Sequence, residues 1–269
     1  RDGGSSVRIG IIGLGTVGKA MKSGLEGEHE IFVHDIGMDT SITDVTENAE
    51  LAFICVPTPS DQETGGCDTR IVEDVLRLLP EGFKVAIKST VIPGTTQSFH
   101  EEFPGLKIAC SPEFLRTATA AEDFRSQDIL VVGTHHDDLA QCIIESHVKA
   151  GVVSREGCMV VSPTQAELVK YAKNSFYSIK VIFANQFYDY CQVLDEDWSV
   201  VKDIITRPQV QSIGNSHLEP IFGAKRGFGG SCLPKDTRAL FADLKNRGVD
   251  FRLLGAVLED NDRLRERGN

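Results

Sequence analysis

A run of mostly β-branched residues, Val7 to Ile12, stops at Gly13-Leu14-Gly15-Thr16-Val17-Gly18, and a helical pattern, Lys19 to Leu25, follows at once. The next apolar run, Ile31 to Val33, ends at His34-Asp35. Strand, glycine turn, helix, strand and carboxylate in that order make a βαβ unit. The first glycine permits a tight turn, the second lets a pyrophosphate approach the backbone, and the third lets helix and strand pack closely. Free N–H groups at the helix start, around Thr16 and Val17, then face the pyrophosphate. Asp35 is placed to accept hydrogen bonds from both ribose hydroxyls and to repel a 2′-phosphate, so the expected cofactor is NAD rather than NADP. The competing reading is an ordinary glycine turn with Asp35 as a loop carboxylate.

Further strands are expected at Leu51 to Val56, Val85 to Ser89, Ile108 to Cys110 and Asp128 to Val132, separated by helices such as Thr69 to Leu79 and Asp138 to Lys149. Alternating strands and helices imply a parallel, doubly wound α/β sheet. After Ser162-Pro163 no strand is expected. From Gln165 to about Val193, apolar residues recur at spacings of three and four, the pattern of a long amphipathic helix opening a second, mostly helical domain. A short helix, Ser199 to Ile205, precedes an irregular stretch, Arg207 to Cys232, and two helices, about Asp236 to Arg247 and Phe251 to Arg265, follow. The expected organisation is a flexible leader over 1–6, a dinucleotide-binding domain over 7–161 and a helical domain over 162–269.

A net charge of −11 argues against nucleic acid as the main partner, because phosphate binding needs clustered Lys and Arg. No apolar run approaches membrane-spanning length, and Arg1 to Ser6 lacks the apolar core of a signal peptide. Seven dispersed cysteines fit reduced thiols in a cytoplasmic protein, with core packing expected for Cys55, Cys110, Cys142, Cys158 and Cys191. His135-His136-Asp137-Asp138 is expected to be turn and helix-capping chemistry rather than a metal site.

Cys232 stands apart. In Gly227-Phe228-Gly229-Gly230-Ser231-Cys232-Leu233-Pro234-Lys235-Asp236 it is flanked by small residues, close to a lysine and just before an expected helix, a setting that favours thiolate. An inert thiol in a structural glycine loop is the alternative.

This stretch resembles the active-site motif of the UDP-glucose and GDP-mannose 6-dehydrogenases, and other segments match that family in order. They are Gly13 to Gly18, Val56-Pro57-Thr58-Pro59 with Gly66-Cys67-Asp68, Lys88 to Thr95, Ser111-Pro112-Glu113-Phe114-Leu115-Arg116, and the helix carrying Glu167, Lys170 and Asn174. The resemblance implies a Rossmann-type sheet followed by a 6-phosphogluconate-dehydrogenase-like central domain that pairs subunits, and hence a homodimer. It further implies NAD contacts at Gly13, Gly15, Thr16, Val17, Gly18, Asp35, Val56, Pro57, Thr58, Ser89, Thr90 and Lys235. Substrate contacts are implied at Phe114, Leu115, Arg116, Lys170, Asn174, Phe228, Gly229 and Cys232, with no metal.

By the family's chemistry, a sugar C6 alcohol is oxidised to an acid in two steps, and Cys232 holds the intermediate as thiohemiacetal and then thioester. Lys170 and Asn174, four apart on one helix, share a face and stabilise the oxyanion. Asp236 and Glu113 are the candidate bases, Glu113 activating the hydrolytic water with help from Thr90. UDP-glucose is favoured over GDP-mannose by the Gly-Phe-Gly-Gly loop, and the implied product is a uronic acid for polysaccharide synthesis.

Three departures stand out. Thr117 occupies the place of a second family glutamate, Ser212-Ile213-Gly214 replaces Arg-Ile-Gly with Lys225 or Arg226 as possible substitutes, and the chain stops at Asn269, in what resembles the helix linking to a third, nucleotide-binding domain. A simple NAD-dependent hydroxyacid dehydrogenase and a non-catalytic NAD-binding or dimerisation module are the competing functions.

Overall fold

The expected strands assemble into one seven-stranded sheet of order β2-β1-β3-β4-β5-β6-β7, seen in a computed structural model that describes residues 6–59, 67–207, 209, 221–222, 225–226, 248–250 and 252–266. The strands are β1 Arg8–Ile12, β2 Glu30–His34, β3 Leu51–Ile54, β4 Lys84–Ile87, β5 Lys107–Cys110, β6 Leu130–Gly133 and β7 Cys158–Val161. Between them run α1 Thr16–Leu25, α2 Ile42–Asn48, α3 Arg70–Arg77, α4 Thr95–Glu102, α5 Ala120–Arg125 and α6 Asp137–Lys149.

Alternation explains why the sheet is covered on both sides. Ile9 and Ile11 of β1, with Leu51 and Phe53 of β3, join Met21, Leu25, Phe124 and Ile143 in one apolar cluster. Their sequence neighbours Ile12, Ala52 and Ile54 join Val72, Val75, Leu76 and Phe99 in another. A strand buried on both faces needs no polar positions, and all four residues of β3, Leu-Ala-Phe-Ile, are buried. Each fully buried Leu, Ile or Phe side chain contributes about 2 kcal/mol.

Three features depart from the sequence expectations. The β5–β6 pairing is antiparallel, at Cys110 and Gly133, whereas the other strand pairs of this sheet are parallel. An unexpected edge strand, β7, pairs with β6; Met159 and Val160 on it are half exposed, and that weak alternation hid the strand from a pattern reading. Within the stretch expected to be irregular, Ile221–Phe222 pairs with Lys225–Arg226 as a short hairpin.

The chain divides into two compact units, Arg1–Asn174 and Ser175–Asn269. The long helix α7, Pro163–Val193, begins in the first unit and continues in the second. Its start is a capping box: Ser162 Oγ accepts from the Gln165 N–H at 3.2 Å, Gln165 Oε1 accepts from the Ser162 N–H at 3.0 Å, and Pro163 takes the first helical position, where no donor is needed. In the second unit α8, Trp198–Ile205, is capped by Asp197, and a further helix spans Arg252–Glu266. The expected helix over Asp236 to Arg247 lies outside the described residues.

Candidate active site

The carboxyl ends of the central strands open on one cleft of about 740 Å³. It lies where the strand order reverses between β1 and β3, the place at which doubly wound sheets bind ligands. Its walls are the β1–α1 turn, the end of β2 with Asp35 and Ile36, the segment Val56-Pro57-Thr58, α3, and Lys88-Ser89-Thr90 after β4, with Glu113 beyond β5.

The turn is built by steric exclusion. Gly13 adopts φ +95°, and a Cβ there would stand 2.8 Å from the Cys55 carbonyl. A Cβ on Gly18 would fall 2.0 Å from the Gly13 oxygen, so helix and strand can approach this closely only without one. At Gly15 an added Cβ meets nothing within 4 Å, so the space above the turn is open to a ligand. Asp35 Oδ2 accepts the Leu14 N–H at 2.6 Å, and that bond, with others from Gly37 and Ile36, holds its carboxyl below the usual range. Two hydroxyls stitch the far wall: Thr58 Oγ1 donates to the Thr90 oxygen and Ser89 Oγ to the Val56 oxygen, each at 2.6 Å.

At the inner end of the cleft, Glu113 is gripped on three sides. Lys170 Nζ donates to Glu113 Oε1 at 2.6 Å and to its backbone oxygen at 2.8 Å, while the Leu115 N–H donates to Oε2 at 2.6 Å. Lys170, 8% exposed, comes from the second turn of α7. Asn174, one turn later, is exposed.

Lys88 is a member that sequence reasoning passed over, and the signal was present: a lysine inside a run read as a buried strand. It is 2% exposed, its Nζ donates to Ser111 Oγ at 3.1 Å, and it stands 6.0 Å above the Phe53 ring. Burial pulls its pKa down from 10.5 to about 8.

The structure thus brings Gly13, Gly15, Thr16, Val17, Asp35, Val56, Pro57, Thr58, Ser89, Thr90 and Glu113 to one cleft, with Gly18 behind the turn. It does not bring the next three residues there. Phe114 packs beside Cys110 and Val131 with Lys173 Nζ 4.6 Å over its ring, and Leu115 lies against the main apolar cluster. The exposed Arg116 is tied to Asp123 by bonds of 2.6 and 3.1 Å. Thr117 opens a short 3-10 turn, Thr117–Thr119. Cys232, Asp236, Lys235, Phe228, Gly229 and Ser212 lie outside the described residues.

Elsewhere, burial raises Cys55 and Cys110 to about 12, so they are inert apolar thiols. The described cysteines are all free. His136 precedes α6 without a side-chain cap bond; its own N–H donates instead to Thr134 Oγ1 at 3.2 Å. Among the described residues no group of His, Cys, Asp or Glu is placed to hold a metal ion, and no helix is long and apolar enough to cross a membrane.

Sheet, glycine turn and acidic β2 end define the first unit as a dinucleotide-binding domain of the Rossmann type. The chain belongs to the UDP-glucose/GDP-mannose dehydrogenase family: its NAD-binding domain matches residues 26–149 and its central domain residues 164–263. NAD is accordingly the cofactor. The chain is 35% identical over 240 residues to the UDP-glucose 6-dehydrogenase AglM of Haloferax volcanii, covering 82% of this chain and 54% of that protein. It is 29% identical over 233 residues to the GDP-mannose 6-dehydrogenase of Pseudomonas aeruginosa, covering 80% and 51%. The fold superimposes on a solved GDP-mannose dehydrogenase from Pseudomonas aeruginosa with a TM-score of 0.84 at 24% identity, over 96% of this chain and 69% of that one. The chain spans about half the length of the curated relatives it matches.

Proposed function

We propose that this chain takes part in the NAD-dependent oxidation of the C6 hydroxyl of a nucleotide sugar to a carboxylate, with UDP-glucose as substrate and Cys232 as nucleophile. The observation that carries the reading is the Lys170–Glu113 contact at the inner end of the dinucleotide cleft, which sets a cation and a carboxylate beside the strand ends. Greater identity to the UDP-glucose enzyme than to the GDP-mannose enzyme, 35% against 29%, supports the choice of sugar.

NAD bound in the cleft supplies the hydride acceptor, and two molecules are used per sugar. Gly13, Gly15, Thr16 and Val17 would hold its pyrophosphate, Asp35 its ribose, and Val56, Pro57, Thr58, Ser89 and Thr90 the wall beside it. Loss of a proton and a hydride from the C6 alcohol gives the aldehyde. The Cys232 thiol adds to it, forming a C–S bond and a thiohemiacetal; loss of a second hydride and the hydroxyl proton leaves a thioester. Water, activated by Glu113 or Asp236, then breaks the C–S bond, releasing the carboxylate and the thiol. Lys170 and Asn174 would stabilise the oxyanions of these steps. The central domain over 162–269 would pair two chains through α7, whose Leu168 and Val169 are exposed apolar residues.

Purified chain with NAD and UDP-glucose should form two NADH per sugar, with GDP-mannose as the comparison. Cys232→Ser should stop the reaction before the second oxidation. A chain that binds NAD and yields no NADH from either sugar would overturn the reading in favour of a non-catalytic NAD-binding module.

A further inference from the structure

Glu167 lies in the second turn of α7 with 1% of its surface exposed, where a carboxylate is costly unless donors reach it. Its donors come from another helix. Oε2 accepts the backbone N–H of Gly94 at 2.6 Å and Oε1 that of Thr96 at 2.7 Å. These groups sit at the start of α4, where N–H donors lack intrahelical acceptors and negative charge complements the helix dipole. Charge-assisted bonds of this kind are roughly twice as strong as neutral ones. Gly94 ends the short segment that begins at Thr90. Lys170 stands one turn after Glu167 on the same face of α7, where it grips Glu113. The Ser162–Gln165 box cannot substitute for this tie, because its bonds close α7 on itself.

We infer that Glu167 is a positioning residue: one carboxylate joins the loop carrying Thr90 to the helix carrying Lys170, so that Thr90, Glu113 and Lys170 keep a single mutual geometry. The inference rests on the reading of those three as site residues. Glu167 itself does not line the cleft.

Glu167→Ala and Glu167→Gln in the full chain test it. In Glu167→Ala, kcat for sugar oxidation should fall about 100-fold, the scale of a misplacement near 1 Å, while the Kd for NAD stays within about twofold. Glu167→Gln, with one carbonyl oxygen for two N–H groups, should fall between. A second readout needs no turnover: acylation of Lys170 by an amine-reactive reagent, followed by mass spectrometry, should rise severalfold in Glu167→Ala while Lys22 on α1 stays unchanged. Unchanged Lys170 labelling, unchanged kcat in an active chain, or an equal rise at Lys170 and Lys22 would overturn the inference. If the wild type oxidises neither nucleotide sugar, the functional reading fails and the labelling comparison alone decides the role of Glu167.

Discussion

Lys170 Nζ stands 2.6 Å from Glu113 Oε1, and the two side chains are only 10% and 16% exposed. The contact fastens the second turn of α7 to the loop after β5, segments far apart in sequence. A pair this shielded has lost much of its hydration, so its worth depends on both partners being present.

Lys170→Met should therefore destabilise the chain by about 3 kcal/mol, because it leaves the Glu113 carboxylate buried with the Leu115 N–H as its remaining described donor. Adding Glu113→Gln should recover part of the loss. Urea unfolding of both single variants and the double variant gives the coupling energy, expected to exceed about 1 kcal/mol. Additive losses would mean that the two groups do not act as a unit.

The glycine turn separates a folding requirement from a binding one. Gly18→Ala should lower stability by about 1–3 kcal/mol, since its Cβ would overlap the Gly13 oxygen. Gly15→Ala has open space around its Cβ and should change stability by less than about 0.5 kcal/mol. Yet it should weaken NAD binding measured by calorimetry, because the methyl occupies the approach of the pyrophosphate. Wild-type affinity in Gly15→Ala would place the pyrophosphate elsewhere.

Lys88 predicts a pH dependence. Its pKa falls from 10.5 to about 8 through burial, so the unfolded state binds more protons than the folded state between those values and stability rises with pH in that window. Below pH 8 both states are protonated and the full burial cost, on the order of 3 kcal/mol, is present. Cys55 and Cys110 act in the opposite sense: raised to about 12 from 9.0, they lower stability as the unfolded thiols ionise, which is half complete at pH 9. The urea midpoint should therefore rise only slightly from pH 8 to 9, because the two thiols offset more than half of the roughly 1 kcal/mol that Lys88 contributes over that interval, and Lys88→Met should turn the slope negative. An unaltered slope in the variant would assign it to another group.

Much of the first unit was legible because its signals are local. The β1 run, the three glycines and Asp35 lie within a short stretch and state their geometry by composition alone. The strand β7 was missed because an edge strand with two half-exposed apolar residues, Met159 and Val160, has the pattern of neither a buried nor a half-buried strand. Lys88 and Glu167 were missed as working residues for a different reason. A charged residue in sequence looks solvated until the surrounding chain is seen to exclude water, and the donors that make burial tolerable, Gly94 and Thr96 for Glu167, come from elsewhere in the chain.

By itself the sequence determined the βαβ unit, the alternation of strands and helices and the family motifs, because periodicity and turn chemistry act between near neighbours. Only the tertiary structure decided that β6 runs antiparallel to β5, that the buried Glu167 is held by Gly94 and Thr96, and that Lys170 and Glu113 form one shielded pair. Those outcomes depend on which segments share a low-dielectric interior, and no local pattern encodes the distance between residues brought together by the closing of the whole sheet.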